Sequence, residues 1–250
     1  MYNPFSLERK TILVTGASSG IGQATAIECS KMDAKVIITG RNEQRLNETF
    51  NNLSGKGHLQ IIADLDNKEK VDEVVGALPN LDGIVHCAGI LKTAPFPFLK
   101  PDDVSEVFNT NFFAPYYLSY ALIKKKKITT NSSVVFVASV AGIKTVYIGG
   151  AAYAASKGAI FSLAKNMAID LKSKKIRVNT VLPGMIKTPF INMDTLTSEQ
   201  YENDAQQYIY KRYGKPEEVA YMIIYLLSDA SQWVTGSDFV IDGGVTLSTT

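Results

Sequence analysis

A glycine-rich turn near the start of the chain limits the possible folds more than any other segment. The stretch TGASSGIGQA covers residues 15–24 and follows the short β-branched run KTILVT, residues 10–15. Its glycines, Gly16, Gly20 and Gly22, fall where a strand pattern gives way to a helical pattern that continues to Met32. A strand, a glycine-rich turn and a helix in this order are what a dinucleotide-binding βα turn requires.

Strand and helix patterns alternate along the rest of the chain. Further strands are predicted at 35–39, 58–63, 81–87, 133–138, 176–182 and 238–241, and helices at 43–53, 67–78, 101–127, 151–172 and 216–227. The first strands are continuous apolar runs, which fit a sheet that is covered on both faces. The alternation predicts an α/β protein: a doubly wound Rossmann fold with a parallel sheet of about seven strands. No linker or repeat divides the chain, so residues 1–250 are expected to form a single dinucleotide-binding and catalytic domain.

The composition excludes several classes of function. The chain has 46% hydrophobic and 20% charged residues and a net charge of +2. It therefore lacks the excess of basic residues that is typical of proteins that bind nucleic acids or anionic membranes. The basic run Lys124–Lys127 follows a helical pattern, where cations suit the helix dipole. Cys29 and Cys87 form no C-x-x-C pair, so neither a metal site nor a disulfide framework is predicted. With no signal-peptide pattern and no long apolar run, a cytoplasmic location is expected.

The residues of the glycine-rich turn have separate predicted roles. Gly16 can take the tight turn at the strand end, Gly20 lets the backbone approach a pyrophosphate, and Gly22 lets the helix pack closely on the sheet. Free amides at the start of the helix, formed around Ser19 and Ile21, attract phosphates. The alternative is a structural turn without a ligand.

The end of the second strand bears on the choice of cofactor. An NAD site wants Asp or Glu there, to hold the ribose 2′-hydroxyl. The chain has Gly40 at that place, and Arg41 follows. A guanidinium pairs well with a 2′-phosphate, and Ser18 and Asn42 could add hydrogen bonds. The sequence therefore favours NADP(H) over NAD(H), the alternative being that Arg41 is an ordinary surface residue.

The stretch AAYAASKGA, residues 151–159, contains a tyrosine and a lysine four residues apart. On a helix, β-carbons at that spacing lie about 5–6 Å from each other, so Tyr153 and Lys157 share one face. A nearby ammonium is expected to lower the pKa of the phenol, which would help acid–base chemistry. By itself such a pair can also arise by chance.

Two further polar residues stand in apolar surroundings. Ser139 follows the predicted strand SVVFVA, and its hydroxyl could bind a substrate carbonyl or a loop amide. Asn111 lies in a helical stretch close to Pro115, and a buried asparagine needs partners. Those partners could be backbone groups that the proline leaves free.

Together, TGASSGIG and YAASK resemble the glycine motif and the Tyr-x-x-x-Lys pair of the short-chain dehydrogenase/reductase family, with likeness over residues 10–244. HCAG, residues 86–89, resembles the family's Asn-Asn-Ala-Gly motif, with His86 and Cys87 in place of the asparagines and Ala88 and Gly89 retained. VTGSDFVIDGG and RYGKPEEVA resemble the 3-oxoacyl-acyl-carrier-protein reductase subgroup. Ser19 stands where many NADPH-dependent relatives carry a basic residue, which leaves Arg41 as the main partner of a 2′-phosphate.

The resemblance implies roles for individual residues. In the catalytic set, Tyr153 would protonate the carbonyl oxygen, Lys157 would bind the nicotinamide ribose, Ser139 would hold the carbonyl, and Asn111 would anchor a water relay to Lys157. The remaining cofactor contacts implied are Asp64 and Leu65 on the adenine side, and Ile186 and Thr188 in the segment PGMIKT on the nicotinamide side.

The resemblance also implies a function. It is the NADPH-dependent transfer of a hydride to a ketone carbonyl, with 3-oxoacyl thioesters of fatty acid biosynthesis as one substrate class. A sugar, steroid or polyol is the alternative substrate, and a cofactor-binding sensor without turnover is the alternative function. A substrate loop is expected at about 184–204, with the apolar residues Phe190, Ile191, Met193 and Leu196. Lys211, Arg212 and Lys215 could dock an acyl-carrier protein, and relatives of this kind form homotetramers.

Overall fold

Seven parallel strands form one sheet in the computed structural model, which describes residues 2–190 and 197–247. The strands are β1 (Thr11–Thr15), β2 (Lys35–Gly40), β3 (Leu59–Ile62), β4 (Leu81–His86), β5 (Ile128–Val137), β6 (Arg177–Pro183) and β7 (Asp238–Ile241). Their order across the sheet is β3-β2-β1-β4-β5-β6-β7. Strands are therefore added outward in opposite directions on the two sides of the point between β1 and β4. This confirms the predicted doubly wound fold. The extent of the domain over residues 1–250 stays a prediction.

Helices cover both faces of the sheet. They are α1 (Gly20–Lys31), α2 (Glu43–Asn51), α3 (Lys68–Ala77), α4 (Pro101–Phe108), α5 (Ala114–Lys124), α6 (Ala151–Asp170), α7 (Ser198–Ala205) and α8 (Pro216–Leu227). The apolar faces of α3, α5 and α6 build one core, and those of α1 and α8 build the other on the opposite face. Ile160 and Met167 of α6, and Leu171 directly after it, are buried. Within residues 2–190 and 197–247, no helix combines the length and the apolar character needed to cross a membrane.

Two strands depart from the sequence prediction. β1 and β2 lie inside the sheet and are almost completely buried, but β3 is an edge strand and leaves Leu59 and Ile62 exposed. β5 begins at Ile128, whereas a start at Ser133 was predicted. Its first half is polar and contains Asn131 in the left-handed region, with φ of 63°. The register against β4 shifts in this part, which breaks the two-residue periodicity that predicts a strand.

The single helical region predicted at 101–127 is interrupted by a π-helical turn, Asn109–Phe113, and α5 ends at Lys124. Pro115 has no amide hydrogen, so the regular helical bond to residue 111 cannot form. The turn places the Asn111 side chain in the interior, where it is 1% exposed. Beyond the helix end, the ammonium groups of Lys125 and Lys127 donate hydrogen bonds to the backbone carbonyls of Asp72 in α3 and of Leu78, which follows α3.

The stretch 183–204, predicted to be irregular, contains the start of α7. Thr197 and Gln200 form a capping box: the Thr197 hydroxyl accepts from the Gln200 amide at 3.1 Å, and the Gln200 side chain accepts from the Thr197 amide at 2.9 Å. This Thr-x-x-Gln signal is legible in the sequence. Ile191, Met193 and Leu196 of the predicted substrate loop lie outside the described residues.

Candidate active site

The predicted site residues gather at the carboxyl ends of β1, β2, β4 and β5. In the register of the sheet, Thr15 lies opposite both Thr39 and His86, so the turns that follow these strands meet at one edge. The strand order reverses between β1 and β4, and open α/β sheets bind their ligands at such a point.

Close contacts join the glycine-rich turn to its neighbours. Gly16 has a positive φ of 64°, and a β-carbon on it would lie 2.7 Å from the α-carbon of Ala88. A β-carbon on Gly22 would overlap the carbonyl oxygen of Gly16, and one on Gly20 would lie 3.1 Å from the Thr188 methyl group. The Ser19 side chain makes no capping bond to α1. The turn therefore keeps its backbone free to approach phosphates, between the segments that were predicted to flank the cofactor.

The end of β2 lies against the glycine-rich turn. A β-carbon on Gly40 would overlap the Ser18 hydroxyl, so an Asp or Glu at this position would require the Ser18 side chain to turn away. The Arg41 side chain is 56% exposed, and its guanidinium lies 3.8 Å from the Asp66 carboxylate. The cation is thus oriented along this edge and remains open to a ligand.

Three more predicted cofactor residues differ in how available their side chains are. Asn42 is the N-cap of α2, and its side-chain oxygen accepts a hydrogen bond from the Arg45 amide at 2.9 Å. Asp64 is exposed and accepts a hydrogen bond from the Asp66 amide, whereas Leu65 is buried. Asp64 therefore retains surface that faces solvent, and Leu65 contributes mainly to the core.

Asn111 links the loop after β4 to helix α6. Its carbonyl oxygen accepts from the Ile90 amide at 2.7 Å, and its amide nitrogen donates to the Ile90 carbonyl at 3.0 Å and to the Ser156 hydroxyl at 3.1 Å. Ser156 in turn donates to the backbone carbonyl of Tyr153 at 2.7 Å. The side chain therefore bonds to other elements, and not to groups left free by Pro115. Ser156 was missed by the sequence analysis, although it lies inside the Tyr-x-x-x-Lys motif.

Lys157 is a buried ammonium group beside Tyr153. It is 5% exposed, donates a hydrogen bond to the Val137 carbonyl at 2.9 Å, and lies 5.6 Å from the centre of the Tyr153 ring. A β-carbon on Gly89 would lie 3.3 Å from the Asn111 side-chain oxygen and 3.6 Å from the Lys157 nitrogen. Burial lowers the pKa of Lys157 to about 8. An ammonium has three hydrogens to donate, so Lys157 can bind further acceptors.

The Tyr153 hydroxyl lies near Ser139, and its proton is held more tightly than expected. Burial raises the pKa of Tyr153 above its ordinary value, the neighbouring Ser139 hydroxyl works in the opposite direction, and nearby Tyr147 adds to the increase. The prediction that Lys157 lowers this pKa is wrong for the chain without ligands. Its ammonium is directed at Val137, so it does not offset the burial of the phenol. Tyr153 is therefore neutral and has a proton to donate.

Ser139 has the loop-amide role considered for it, and its role towards a substrate carbonyl stays a prediction. Its hydroxyl accepts a hydrogen bond from the Ala141 amide at 3.1 Å, which stabilises the loop after β5, and it lies near the Tyr153 hydroxyl. The side chain is 9% exposed. A carbonyl oxygen that reaches Ser139 would thus meet two neighbouring hydroxyls.

The HCAG segment keeps its backbone close to the glycine-rich turn despite its altered side chains. The amides of Cys87 and Ala88 donate to the Thr15 hydroxyl at 3.2 and 3.3 Å. His86 is buried and stacked on Phe136, with 4.6 Å between the ring centres, and burial lowers its pKa to about 3. The histidine is therefore neutral and belongs to the core.

Two of the three basic residues considered for docking are engaged locally. The Arg212 guanidinium donates two hydrogen bonds to the Glu218 carboxylate, at 2.8 and 2.7 Å, and the pKa of Glu218 is lowered to about 2 by this pair. The Lys211 ammonium donates to the Gln206 carbonyl at 2.7 Å. These contacts weaken the case for a basic docking patch at this position.

A glycine-rich turn at the switch point, beside a phenol, a hydroxyl, an ammonium and a carboxamide, defines an NAD(P)-dependent oxidoreductase of the doubly wound class. A family model described as "Enoyl-(Acyl carrier protein) reductase" matches residues 16–246. The chain belongs to the short-chain dehydrogenase/reductase family.

Relatives that are named for different activities resemble the chain over nearly its whole length. The 3-oxoacyl-[acyl-carrier-protein] reductase FabG of Rickettsia prowazekii is 34% identical, covering 96% of this chain and 98% of that one. The glucose 1-dehydrogenase of Gluconobacter oxydans is also 34% identical, covering 95% and 92%. The structure of the short-chain dehydrogenase/reductase "Glucose/ribitol dehydrogenase" from Brucella melitensis matches with a TM-score of 0.90 at 29% identity, covering 98% of this chain and all of that one.

Proposed function

We propose that this chain is an NADPH-dependent reductase of ketone carbonyls, with 3-oxoacyl thioesters as its substrates. The observation that carries the proposal is the buried Tyr153 phenol, which keeps its proton and lies between the Ser139 hydroxyl and the buried Lys157 ammonium. A phenol that keeps its proton suits reduction, because a carbonyl oxygen must gain a proton as its carbon is reduced. The likeness to a 3-oxoacyl reductase supports the substrate class.

The residues of the site divide the work as follows. When bound, the nicotinamide supplies the hydride that reduces the carbonyl carbon. The hydroxyls of Ser139 and Tyr153 hold the carbonyl oxygen and stabilise the negative charge that develops on it. Tyr153 then gives its proton to that oxygen, and the proton is replaced from solvent past Lys157 and Asn111. Asn111 and Ser156 keep helix α6 in place relative to the loop after β4, which fixes the direction of the phenol.

The test of this proposal is NADPH consumption in the presence of acetoacetyl-coenzyme A. We expect turnover, and we expect oxidation of glucose or ribitol with NADP⁺ to be at least about tenfold less efficient, because a polyhydroxylated substrate needs polar partners that this cleft supplies sparingly. Sugar or polyol oxidation without ketone reduction would favour the second candidate, which the Gluconobacter relative supports. Cofactor binding without turnover on any of these or on a steroid ketone would favour a sensor.

The NADP(H) preference is tested at Arg41. Because the chain has Gly40 and not an acid at the end of β2, the exposed Arg41 guanidinium is the group best placed to pair with a 2′-phosphate. Arg41→Ala is expected to raise the KM for NADPH about 10- to 100-fold, since a charge-assisted hydrogen bond contributes about 1.5–3 kcal/mol. The KM for NADH and the kcat should change little. Arg45→Ala, at an exposed position on α2, is the control. Equal effects of Arg41→Ala on both cofactors would contradict the assignment.

We also propose that the protein forms a homotetramer, and two exposed apolar surfaces support this proposal. On α5 and the turn before it, Phe113, Tyr116 and Tyr120 are 39–51% exposed. At the far edge of the sheet, Val240 of β7 is 40% exposed and Trp233 is fully exposed. Two such patches on different sides of one subunit allow the two kinds of twofold contact that a symmetric tetramer needs.

Light scattering at micromolar concentration is expected to give four chain masses. The double variant Tyr116→Glu, Tyr120→Glu should give two, because it places charges in one of the two contacts. A monomeric wild-type chain would overturn the assembly.

A further inference from the structure

The loop between β5 and α6 places an aromatic ring at the entrance to the site. The Tyr147 ring rests against Gly150, because a β-carbon at Gly150 would lie 2.6–2.8 Å from three of its ring carbons. The Gly150 amide also donates to the Tyr147 carbonyl at 3.1 Å. The ring is thus seated on the residue that precedes α6, three residues before Tyr153. It still exposes 43% of its surface, which a ligand could cover.

A second ring stands close to Tyr153. The rings of Phe190 and Tyr153 have centres 6.0 Å apart and planes tilted by 52°. Phe190 is 41% exposed and follows the segment that covers Gly20 through Thr188. Tyr147 is also close enough to Tyr153 to affect its proton affinity. Two half-exposed aromatic rings therefore lie beside the phenol that carries the proton.

Two segments at the Tyr147 side of the site are apolar and contain no charged residue. The Ala94 amide donates to the Gly149 carbonyl at 3.2 Å, which joins the loop after β4 to the loop before α6. Neither segment TAPFPF, residues 93–98, nor TVYIGGA, residues 145–151, contains a charged residue. Phe96 and Ile148 in these segments are 80% and 90% exposed. A cluster of exposed large apolar side chains beside a catalytic group indicates a surface that an apolar ligand covers.

We infer that Tyr147, seated on Gly150, is a specificity-determining residue that forms with Phe190 an aromatic wall for an unbranched apolar chain attached to the ketone carbon. The inference rests on the proposed ketone reduction and extends it to the substrate's substituent. The wall offers contact area to methylene groups and few hydrogen-bonding partners to the hydroxyls of a polyol. Gly150 is required because any side chain there would displace the ring.

The experiment measures kcat/KM with NADPH for the coenzyme A thioesters of 3-oxobutanoate, 3-oxohexanoate and 3-oxooctanoate. For the wild type we expect an increase of about threefold per added methylene, in line with the value of a methylene in an apolar site. Tyr147→Ala should leave the rate on 3-oxobutanoyl-coenzyme A within about threefold and remove most of the increase with length. Tyr147→Phe should keep the increase, because the ring and not the hydroxyl makes the wall.

Gly150→Ala and Val146→Ala complete the set. Gly150→Ala should resemble Tyr147→Ala, and its melting temperature shows whether the helix start is intact. Val146→Ala, an 81% exposed apolar position in the same loop, should behave as the wild type. Ketone reduction whose efficiency does not depend on chain length, or a length dependence that survives Tyr147→Ala, overturns the inference and leaves the proposed function standing. Oxidation of polyols without reduction of any thioester overturns both.

Discussion

Tyr153→Phe is expected to lower the kcat for ketone reduction by about 10³-fold, within the range that a general acid contributes. The substitution removes only the hydroxyl and keeps the ring that packs between Phe190 and the Lys157 ammonium. It leaves the hydrogen bond between the Ala141 amide and the Ser139 hydroxyl intact. The loss should therefore arise from the missing proton donor, and the fold and the cofactor affinity should persist.

The measurement is single-turnover reduction of acetoacetyl-coenzyme A, run beside NADPH binding followed by fluorescence. Tyr221→Phe, at a 56% exposed position on α8, is the matched control and should retain full activity. Ser139→Ala should also lower kcat, by about 10²-fold, through loss of a hydrogen bond to the developing negative charge. A Tyr153→Phe variant that keeps more than about a tenth of the wild-type kcat would show that the proton comes from another group.

The order of the fold could be predicted because the buried strands have an unambiguous sequence pattern. The middle of each inner strand is an uninterrupted apolar run, Ile12–Val14 in β1 and Val36–Ile38 in β2, as burial on both faces requires, and a glycine-rich turn follows β1. The prediction did less well where tertiary contacts outweigh local pattern. The exposed face of β3 follows from its place at the edge of the sheet, and the start of β5 depends on a shifted register that no period reveals. A short sequence pattern predicts that a strand exists, but it does not determine the order of the strands or which strand lies at the edge of the sheet.

In the candidate site, too, the sequence predicts what depends on local spacing and does not predict what depends on tertiary contacts. Residue types and spacing were enough to select Tyr153 and Lys157, because a helix brings residues four apart to one face. The direction of the Tyr153 pKa shift could not be predicted in that way, since it depends on burial and on where the Lys157 ammonium points. Likewise, the Ser18 hydroxyl lies close to Gly40 only because β1 and β2 are neighbours. Contacts between elements supply what spacing within one element cannot.

The second large effect is expected in the stability of the ligand-free chain, at Lys157. Its ammonium is buried, and among the described ion pairs none joins it to a carboxylate. Burial lowers its pKa from 10.5 to about 8, which corresponds to about 3 kcal/mol of destabilisation when the group is charged. Between pH 8 and 10.5 the unfolded chain keeps the proton that the folded chain has lost. The free energy of unfolding of the wild type therefore gains a contribution that rises with pH in this window.

Lys157→Met removes the charge and keeps a long side chain at the same place, so it isolates this contribution. At pH 6–7 the variant is spared the cost of a buried charge, although it leaves the Val137 carbonyl without its donor, at about 1–3 kcal/mol. The difference in unfolding free energy, wild type minus variant, should thus be near zero or negative at pH 7 and should increase by about 3 kcal/mol by pH 10.5. Groups that titrate in both chains cancel in the difference.

Urea unfolding of both chains across this pH range measures the effect, with Lys172→Met at an exposed position as the control that should give a flat difference. A flat difference for Lys157→Met as well would mean that water or a rearranged partner solvates the ammonium in solution. If the difference in unfolding free energy rises with pH as expected, the structure implies a reason for burying the Lys157 ammonium. A charge that is costly in the free protein favours any ligand whose oxygens can accept its remaining hydrogens, so Lys157 should make the ligand-bound state more stable relative to the free one.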